Sequence, residues 1–378
     1  MKVAVTLLVF CVAALLALGM VMLYSASMTQ VGAHYLMMQL IWCALGLVGC
    51  GVMAATDYAL LKKFAWPLFG VAVVLLVLVL IPHIGHSVKG ARRWIGVGGL
   101  NFQPSESGKI ALIIALAWYC EKFQRQMTTF KRGLLIPGLF IGLVLGLIFI
   151  EPDRGATILL ASVCTAMLVV AGARWRFIVP PALLAIVALA ISFWHDPMRS
   201  ARIYSWLHLE ETKLEKGHQA YQALIALGSG GPTGLGLGDS RQKLGFVPEH
   251  HTDFILSIIG EELGLITLAV VAAFIVIVAC GAFISIRARD NFGMLLGCGI
   301  TFLIGFQAFI NIGVVTSALP NKGLPLPFIS YGGSNLLMML TCVGVLFSIA
   351  RRAHQHATQP DLPLPSAKSD NPFSPRTA

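Results

Sequence analysis

The chain is poor in charged residues, which make up only 12% of its 378 positions. A soluble globular protein has about 25% charged residues, and a disordered chain has few large aliphatic or aromatic ones. Here 57% of the residues are hydrophobic, and the mean hydropathy is +0.81. The composition therefore excludes both of those classes and favours a protein that lies mostly inside a lipid bilayer.

The sequence also lacks the signals of disulfide frameworks, zinc sites and nucleotide loops. Its eight cysteines lie in or beside apolar runs, without any Cys-x-x-Cys or Cys/His ligand spacing. The glycine-rich stretch 228–238 lacks the Gly-Lys-Ser/Thr of a phosphate loop. We therefore expect buried apolar cysteines and no nucleotide site.

Long apolar runs are what the sequence has instead. A bilayer core about 30 Å thick requires about 20 apolar helical residues to cross it. Ten candidate runs occur, at roughly 4–26, 35–55, 65–82, 105–120, 133–150, 155–173, 177–194, 254–286, 293–315 and 329–350. We predict an all-α, polytopic membrane protein with about ten transmembrane helices.

The distribution of charge predicts the orientation of these spans. Ten spans put both termini on one side, which then carries 15 basic and five acidic residues, against 12 of each on the other side. Because cytoplasmic loops are enriched in Lys and Arg, both termini are predicted to be cytoplasmic. The net charge of +10 then reflects orientation and does not call for a nucleic-acid partner.

Two long segments remain on the outer side, 83–104 and one large extracytoplasmic loop at about 195–253. A loop as long as the second is more often functional than a plain connector. Residues 1–353 are assigned to the membrane domain. The proline-rich stretch 354–378 is expected to be a disordered cytoplasmic tail.

Several polar residues occur where an apolar span would not favour them. Glu106 and Lys109 are spaced i,i+3 at the start of the fourth run, so they can pair on one helix face. They are either a helix-start salt bridge or part of a polar pocket. Arg92, Arg93 and Trp94 lie just before them, and suit either phosphate binding near the outer leaflet or ordinary headgroup snorkelling.

Asp253 ends the large outer loop directly before the eighth run. Thr252 or Asp253 could be a helix N-cap, or Asp253 could act in chemistry. A metal site with the neighbouring 249–251 segment is disfavoured because no ligand spacing specifies one. The last outer loop, 316–335, contains three prolines and is expected to be irregular, forming either part of a pocket or a re-entrant plug.

These motifs resemble those of the SEDS family, named for shape, elongation, division and sporulation. The resemblance rests on the segments Arg92–Ile95, Phe102–Glu106 with Lys109, Glu151–Asp153, Gln242–Leu244, Pro248–Phe254 and Pro325–Ser334. It covers essentially the whole chain except the tail. The segments 259–264 and 318–323 are more similar to division-type members than to elongation-type members.

The resemblance implies a glycosyltransferase of the cytoplasmic membrane and division septum that polymerises lipid II into peptidoglycan strands. It implies Asp253 as the catalytic residue, with Glu106, Lys109, Arg93 and Trp94 in substrate binding. Arg92, Lys322 and Ser330 complete the predicted substrate-binding set.

The partners that the resemblance implies are a class B penicillin-binding protein transpeptidase, other divisome membrane proteins and membrane lipids. The chemistry also admits a divalent cation, whose ligands the sequence does not identify. Two alternatives stay open, a lipid II flippase or transporter and an elongation-type polymerase.

Overall fold

The computed structural model describes residues 1–27, 32, 34–88, 91–97, 100–194, 197–215, 217–244 and 251–358. The helices are α1 (Lys2–Ser27), α2 (His34–Ala55), α3 (Ala59–Leu80), α4 (Pro104–Lys122), α5 (Ile136–Ile150), α6 (Arg154–Val170), α7 (Trp175–Trp194), α8 (Pro197–Leu207), α9 (His218–Ser229), α10 (Ile255–Leu263), α11 (Ile266–Ile286), α12 (Asn291–Val315) and α13 (Gly333–Thr358). The strands are β1 (Gly85–Val88), β2 (Ala91–Val97) and β3 (Leu100–Phe102).

Every predicted apolar run coincides with helix. Seven helical segments in the described part of the chain are long and apolar enough to cross a membrane. Of the rest, α6 and the first part of α7 are apolar but shorter, and α4 carries charged residues. The prediction of a mostly helical, multi-pass membrane protein is confirmed, with ten as an approximate count. Helix α13 continues to Thr358, beyond the predicted start of the tail at 354. The rest of the predicted tail, 359–378, lies outside the described residues.

The run 254–286 forms two helices, so the prediction of one continuous eighth span was wrong. Gly264 ends α10 with φ +58, a conformation that glycine adopts without strain. A Cβ atom there would lie 2.5 Å from the backbone nitrogen of Gly234, which leaves room only for glycine. The glycine-rich stretch therefore has a structural role, because it packs its backbone into the break between α10 and α11.

The segment 83–104 contains a small antiparallel sheet that the sequence analysis did not predict. The strand order is β1-β2-β3, with Gly85 opposite Ile95 and Ile95 opposite Phe102. Paired strands satisfy backbone groups of a segment close to a membrane, where water is scarce. Helices α8 and α9 similarly give regular structure to part of the large loop.

The sheet marks one end of the helical bundle, called the sheet end below. Helix α4 is buried on most of its surface and packs against α3, α6, α12 and α13. Helices α2, α3 and α7, in contrast, expose many large apolar side chains, as expected for surfaces that face lipid. Helices α4 and α12 thus form the core of the bundle, and the first turn of α4 lies at the sheet end.

Two buried carboxylates of α10 hold part of the large loop against the bundle. Glu262 Oε1 lies 3.0 Å from Lys243 Nζ, and its oxygens accept hydrogen bonds from Ser25 Oγ and the Gly238 backbone N–H. Glu261 accepts from the backbone N–H groups of 241 and 242 and from the Ser240 hydroxyl. A carboxylate at this depth is expensive unless paired, and here the loop supplies the pairs.

A further buried carboxyl lies at the turn between α5 and α6. The Arg93 guanidinium of β2 donates to the backbone carbonyls of Glu151 (2.9 Å) and Pro152 (2.7 Å), and lies 3.6 Å from the Asp153 carboxylate. The Glu151 carboxyl is 1% exposed and has no hydrogen-bond partner among the described residues. Burial raises its pKa from 4.5 to about 8, Asp153 adds to the rise, and Arg93 opposes it.

The Lys243–Glu262 pair allows a stability test. Lys243→Met removes a cation from beside a buried carboxylate, and we expect a loss of about 3–5 kcal/mol in the free energy of unfolding. The measurement is thermal unfolding of the purified protein in detergent. Lys62→Met is the matched control, because the Lys62 and Glu121 side chains are 41% and 18% exposed, far more than those of Lys243 and Glu262, and the pair should contribute less than about 1 kcal/mol. Equal shifts for the two variants would contradict the anchoring role.

Glu151 predicts a pH dependence of stability. The folded protein binds a proton at Glu151 that the unfolded chain has already lost, so stability falls as the pH rises from 4.5 to about 8. Glu151→Gln should therefore flatten the decline of Tm across that range, measured by thermal unfolding at several pH values. Glu210→Gln, at an exposed carboxylate, is the control and should leave the wild-type slope. An unchanged slope in Glu151→Gln would remove this carboxyl as the cause.

Candidate active site at the sheet end of the bundle

The first turns of α4 carry a buried ion pair. Pro104 suits the first helical position, where its missing N–H is no loss, and Glu106 and Lys109 follow on one face. Lys109 Nζ lies 2.8 Å from Glu106 Oε2, with the side chains 1% and 7% exposed. The pair forms as the spacing predicts. It is not the helix cap, because Gln103 holds the cap position and makes no side-chain hydrogen bond to the first turn of α4.

Two amide side chains connect this ion pair to neighbouring helices. Asn335 of α13 donates from Nδ2 to Glu106 Oε2 at 2.9 Å. Gln307 of α12 donates from Nε2 to Asn335 Oδ1 at 3.2 Å and to the Pro325 carbonyl at 2.8 Å. The ion pair is therefore one end of a buried polar network that spans three helices.

Asp253 lies beside the proline-rich loop 316–332. The cap position of α10 is Phe254 with no side-chain cap, so Asp253 does not serve as the helix N-cap. A Cβ atom at Gly323 would lie 2.6 Å from Asp253 Oδ2, so the carboxylate sits directly over the Gly323 backbone. The Asp253 carbonyl accepts a hydrogen bond from Asn311 Nδ2 at 2.8 Å. Glycine at 323 is what permits this close approach.

The same loop carries Lys322 and Ser330. Lys322 is half-buried, and this burial lowers the pKa of its ammonium group. The Ser330 hydroxyl accepts a hydrogen bond from the Leu326 backbone N–H at 2.8 Å, which closes a turn of the loop. Gln39 of α2 donates to the Ser330 carbonyl at 3.1 Å. Lys322 therefore lies next in sequence to the glycine beneath the Asp253 carboxylate, while Ser330 holds the loop together.

The residues of the predicted cationic segment in β2 have different surroundings. Arg92 is exposed, Arg93 binds the α5–α6 turn, and Trp94 pairs with His86 across the sheet. The arginine that the resemblance assigned to substrate thus has its guanidinium on backbone carbonyls of that turn. Gln103 Nε2 approaches the Asp153 carboxylate at 3.5 Å, so the turn also touches the start of α4.

Aromatic rings gather beside Asp253. His251 stacks on Tyr35 of α2 with 4.7 Å between ring centroids, and Tyr35 lies 4.8 Å from Tyr331. The Tyr331 backbone N–H donates to the His251 carbonyl at 3.0 Å. The segment before α10 is therefore held by α2 and by the loop before α13. Residues 249 and 250, which the metal alternative needed, lie outside the described residues, and the described ones hold no group of three or more metal-binding side chains.

The sequence motifs named the charged residues of this candidate site and did not name its buried amides. Gln307, Asn311 and Asn335 are each at most 6% exposed, in helices otherwise suited to a membrane. The available signal was a polar side chain inside an apolar span, which is a functional candidate in its own right. A polar residue in an apolar span does not reveal which groups it binds. The hydrogen-bond partners seen in the structure are what make these three amides part of the site.

Comparison with known proteins assigns the family. Residues 5–355 match the family model for FtsW, RodA and SpoVE, described as cell cycle protein. A probable peptidoglycan glycosyltransferase FtsW of Trichlorobacter lovleyi is 43% identical over 346 residues, covering 90% of this chain and 91% of the relative. The stage V sporulation protein E of Bacillus subtilis is 39% identical, covering 91% and 96%.

Solved structures have the same fold. A chain of a peptidoglycan synthase complex that coordinates polymerization and crosslinking aligns with a TM-score of 0.78 and 28% identity, covering 92% of this chain and 98% of that one. The rod shape determining protein RodA of Thermus thermophilus aligns with a TM-score of 0.69 and 28% identity, covering 92% and 97%. The chain therefore belongs to the FtsW/RodA/SpoVE family of cell cycle proteins, the SEDS family that its motifs resemble.

Proposed function

We propose that this protein is a peptidoglycan glycosyltransferase that polymerises lipid II into glycan strands during cell division. Relatives 43% and 40% identical over most of the chain are named probable peptidoglycan glycosyltransferase FtsW. The structural observation that carries the proposal is the approach of Asp253 to the proline-rich loop, whose Pro325 carbonyl is bound by the polar network that holds Lys109. A carboxylate and a buried cation that are connected to one loop suit a glycosyl transfer in which a phosphate group leaves.

Asp253 is proposed as the general base. The reaction joins the 4-hydroxyl of one sugar to the anomeric carbon of another, whose leaving group is a lipid pyrophosphate. A positioned base contributes about 10²–10⁴-fold to attack by such a hydroxyl. Asp253 is partly exposed at the sheet end, where a sugar hydroxyl can reach it.

Cations stabilise the leaving pyrophosphate in this mechanism. Negative charge develops on its oxygens, so fixed positive groups favour the transition state. Lys322 adjoins the glycine beneath Asp253, and Lys109 is held by Glu106. Glu106 is a positioning group here, because its carboxylate lies 2.8 Å from the Lys109 ammonium and orients it. Arg92, with its exposed side chain, is available to the lipid-linked phosphates at the membrane edge.

The proposed setting is the outer face of the cytoplasmic membrane at the division septum. The excess of basic residues on the opposite side supports an extracytoplasmic sheet end and cytoplasmic termini. One structural relative belongs to a complex that couples polymerization with crosslinking. We accordingly propose a class B penicillin-binding protein as partner, together with other divisome membrane proteins.

A transporter of lipid II is the second candidate. Its ionisable residues should lie near the bilayer midplane in paired half-helices. Here the Glu106–Lys109 pair lies in the first turns of α4 and Asp253 precedes α10, which favours an enzyme working at the membrane edge. An elongation role is less favoured because the relatives named FtsW are more similar than the structures named RodA.

The deciding experiment uses purified protein, fluorescently labelled lipid II and the partner transpeptidase. We expect glycan polymer to form in the presence of penicillin and of inhibitors of the other peptidoglycan glycosyltransferase class. A protein that moves lipid II across vesicle membranes without forming polymer, with or without the partner, would support the transporter instead.

Asp253→Asn should lower polymerisation by about 10²–10⁴-fold, because the amide cannot accept the hydroxyl proton. Membrane insertion and partner binding should stay normal, as judged by fractionation and co-purification. Glu210→Asn is the matched control, since it removes an exposed carboxylate elsewhere on the large loop. Near-normal polymer from Asp253→Asn would remove this residue from the mechanism.

Lys109→Ala should abolish activity beyond what its stability defect explains. The single change leaves Glu106 buried without its cation, so the variant will also unfold more easily. The double variant Glu106→Gln/Lys109→Met removes both charges and separates the two effects. If the double variant folds like the wild type and still polymerises lipid II, the pair is structural.

A further inference from the structure

Helix α12 places two amide side chains one turn apart on a single buried face. Gln307 is 0% exposed and Asn311 is 1% exposed, and their i,i+4 spacing puts them one above the other. An uncompensated amide in such surroundings costs roughly 2–7 kcal/mol. Their presence in an apolar helix therefore needs partners that justify it.

Asn311 binds two separate stretches of backbone at once. Its Nδ2 group donates to the Asp253 carbonyl at 2.8 Å and to the Leu324 carbonyl at 2.7 Å. Both amide hydrogens of Nδ2 are therefore donated. In the opposite amide orientation, Oδ1 would face two carbonyl oxygens, and neither could donate to it. Oδ1 itself is buried without a hydrogen-bond partner among the described residues. The side chain thus works as a double donor that clamps position 253 to position 324.

Gln307 does the same for the next residue of the loop. Its Nε2 group donates to the Pro325 carbonyl at 2.8 Å and to Asn335 Oδ1 at 3.2 Å. Asn335 in turn donates to Glu106, which pairs with Lys109. One helix therefore carries the connections to both chemical groups of the site.

The loop depends on these donors because of its prolines. Pro325 and Pro327 have no backbone N–H, so the loop cannot form a regular ladder of its own. Irregular backbone at membrane depth persists only where protein supplies the missing hydrogen bonds. The two amides of α12 supply them to consecutive carbonyls, those of Leu324 and Pro325.

We propose that Asn311 and Gln307 are positioning residues for glycosyl transfer. Through α12 they hold the Asp253 backbone and the Lys109–Glu106 pair in a fixed position relative to each other. Asn311 keeps the Asp253 carboxylate over Gly323, and Gln307 ties the same loop to Asn335 and the ion pair. The inference rests on the proposed function, because it needs Asp253 to be the base.

The test compares Asn311→Leu and Asn311→His with wild type in the lipid II polymerisation assay. Leucine keeps the branching and the heavy-atom count of the side chain and has no donor, so kcat should fall by about 10–100-fold, as expected when a reacting group is displaced by about 1 Å. KM should stay within about threefold, since Asn311 is buried away from substrate. Histidine restores one ring N–H donor and should recover a large part of kcat.

Thr301→Val is the matched control on the same helix. Its buried hydroxyl donates only within α12, to the Gly297 carbonyl at 2.7 Å, so kcat should stay near the wild-type value. Rates are expressed per folded protein, judged by gel filtration and thermal unfolding. A purely structural role for Asn311 would instead lower the folded fraction while leaving kcat per folded protein unchanged, and histidine would not recover it.

Asp253→Asn in the same assay separates the proposed function from the positioning role of Asn311. An inactive wild type refutes the proposed function, and an active Asp253→Asn refutes the base and the positioning role together. If wild type is active, Asp253→Asn is inactive, and Asn311→Leu turns over normally, only the positioning proposal is refuted.

Discussion

An irregular stretch of chain inside a membrane protein must have its carbonyl groups bound by other parts of the protein. The loop between α12 and α13 meets this requirement with amide side chains from α12 and α2. Those donors decide where the loop backbone runs. The position of Gly323, and with it the approach of the Asp253 carboxylate, follows from how the loop is bound.

The buried charges of the protein obey a related constraint. Lys109 has Glu106, and Glu262 has Lys243 with backbone N–H donors of the large loop. The Lys243–Glu262 pair connects the large loop to α10, whereas the Lys109–Glu106 pair lies within α4 and reaches α13 through Asn335. Glu151 differs, since its carboxyl lacks a partner among the described residues and has its pKa raised by burial. In the part of the chain that the structure describes, paired charges hold segments in position, and the Glu151 carboxyl favours its neutral form.

Much of this architecture could be predicted from the sequence because membrane spans are long and apolar. The spacing of Glu106 and Lys109 also predicted their pairing, since i,i+3 residues meet on any helix. The break at Gly264 was not predictable, because it depends on the distant backbone of Gly234 packing into it. The sheet was missed because its strands are short, the longest having seven residues. Arg93 stays a predicted substrate-binding residue, and its contacts with carbonyls of a turn 58 and 59 residues later in the chain could not be read from the sequence.

The pairing of Glu262 also bears on how the chain enters the membrane as it is made. Its counter-charge, Lys243, precedes it by only 19 residues, so the two emerge from the ribosome almost together. Its remote partner, Ser25 of α1, is 237 residues away and is synthesised with the first helix, long before Glu262. That partner is a neutral hydroxyl, which is inexpensive to hold in lipid. The two charged groups, whose burial in lipid is costly, are therefore synthesised close together. Only the neutral hydroxyl of Ser25 is in the membrane long before its partner.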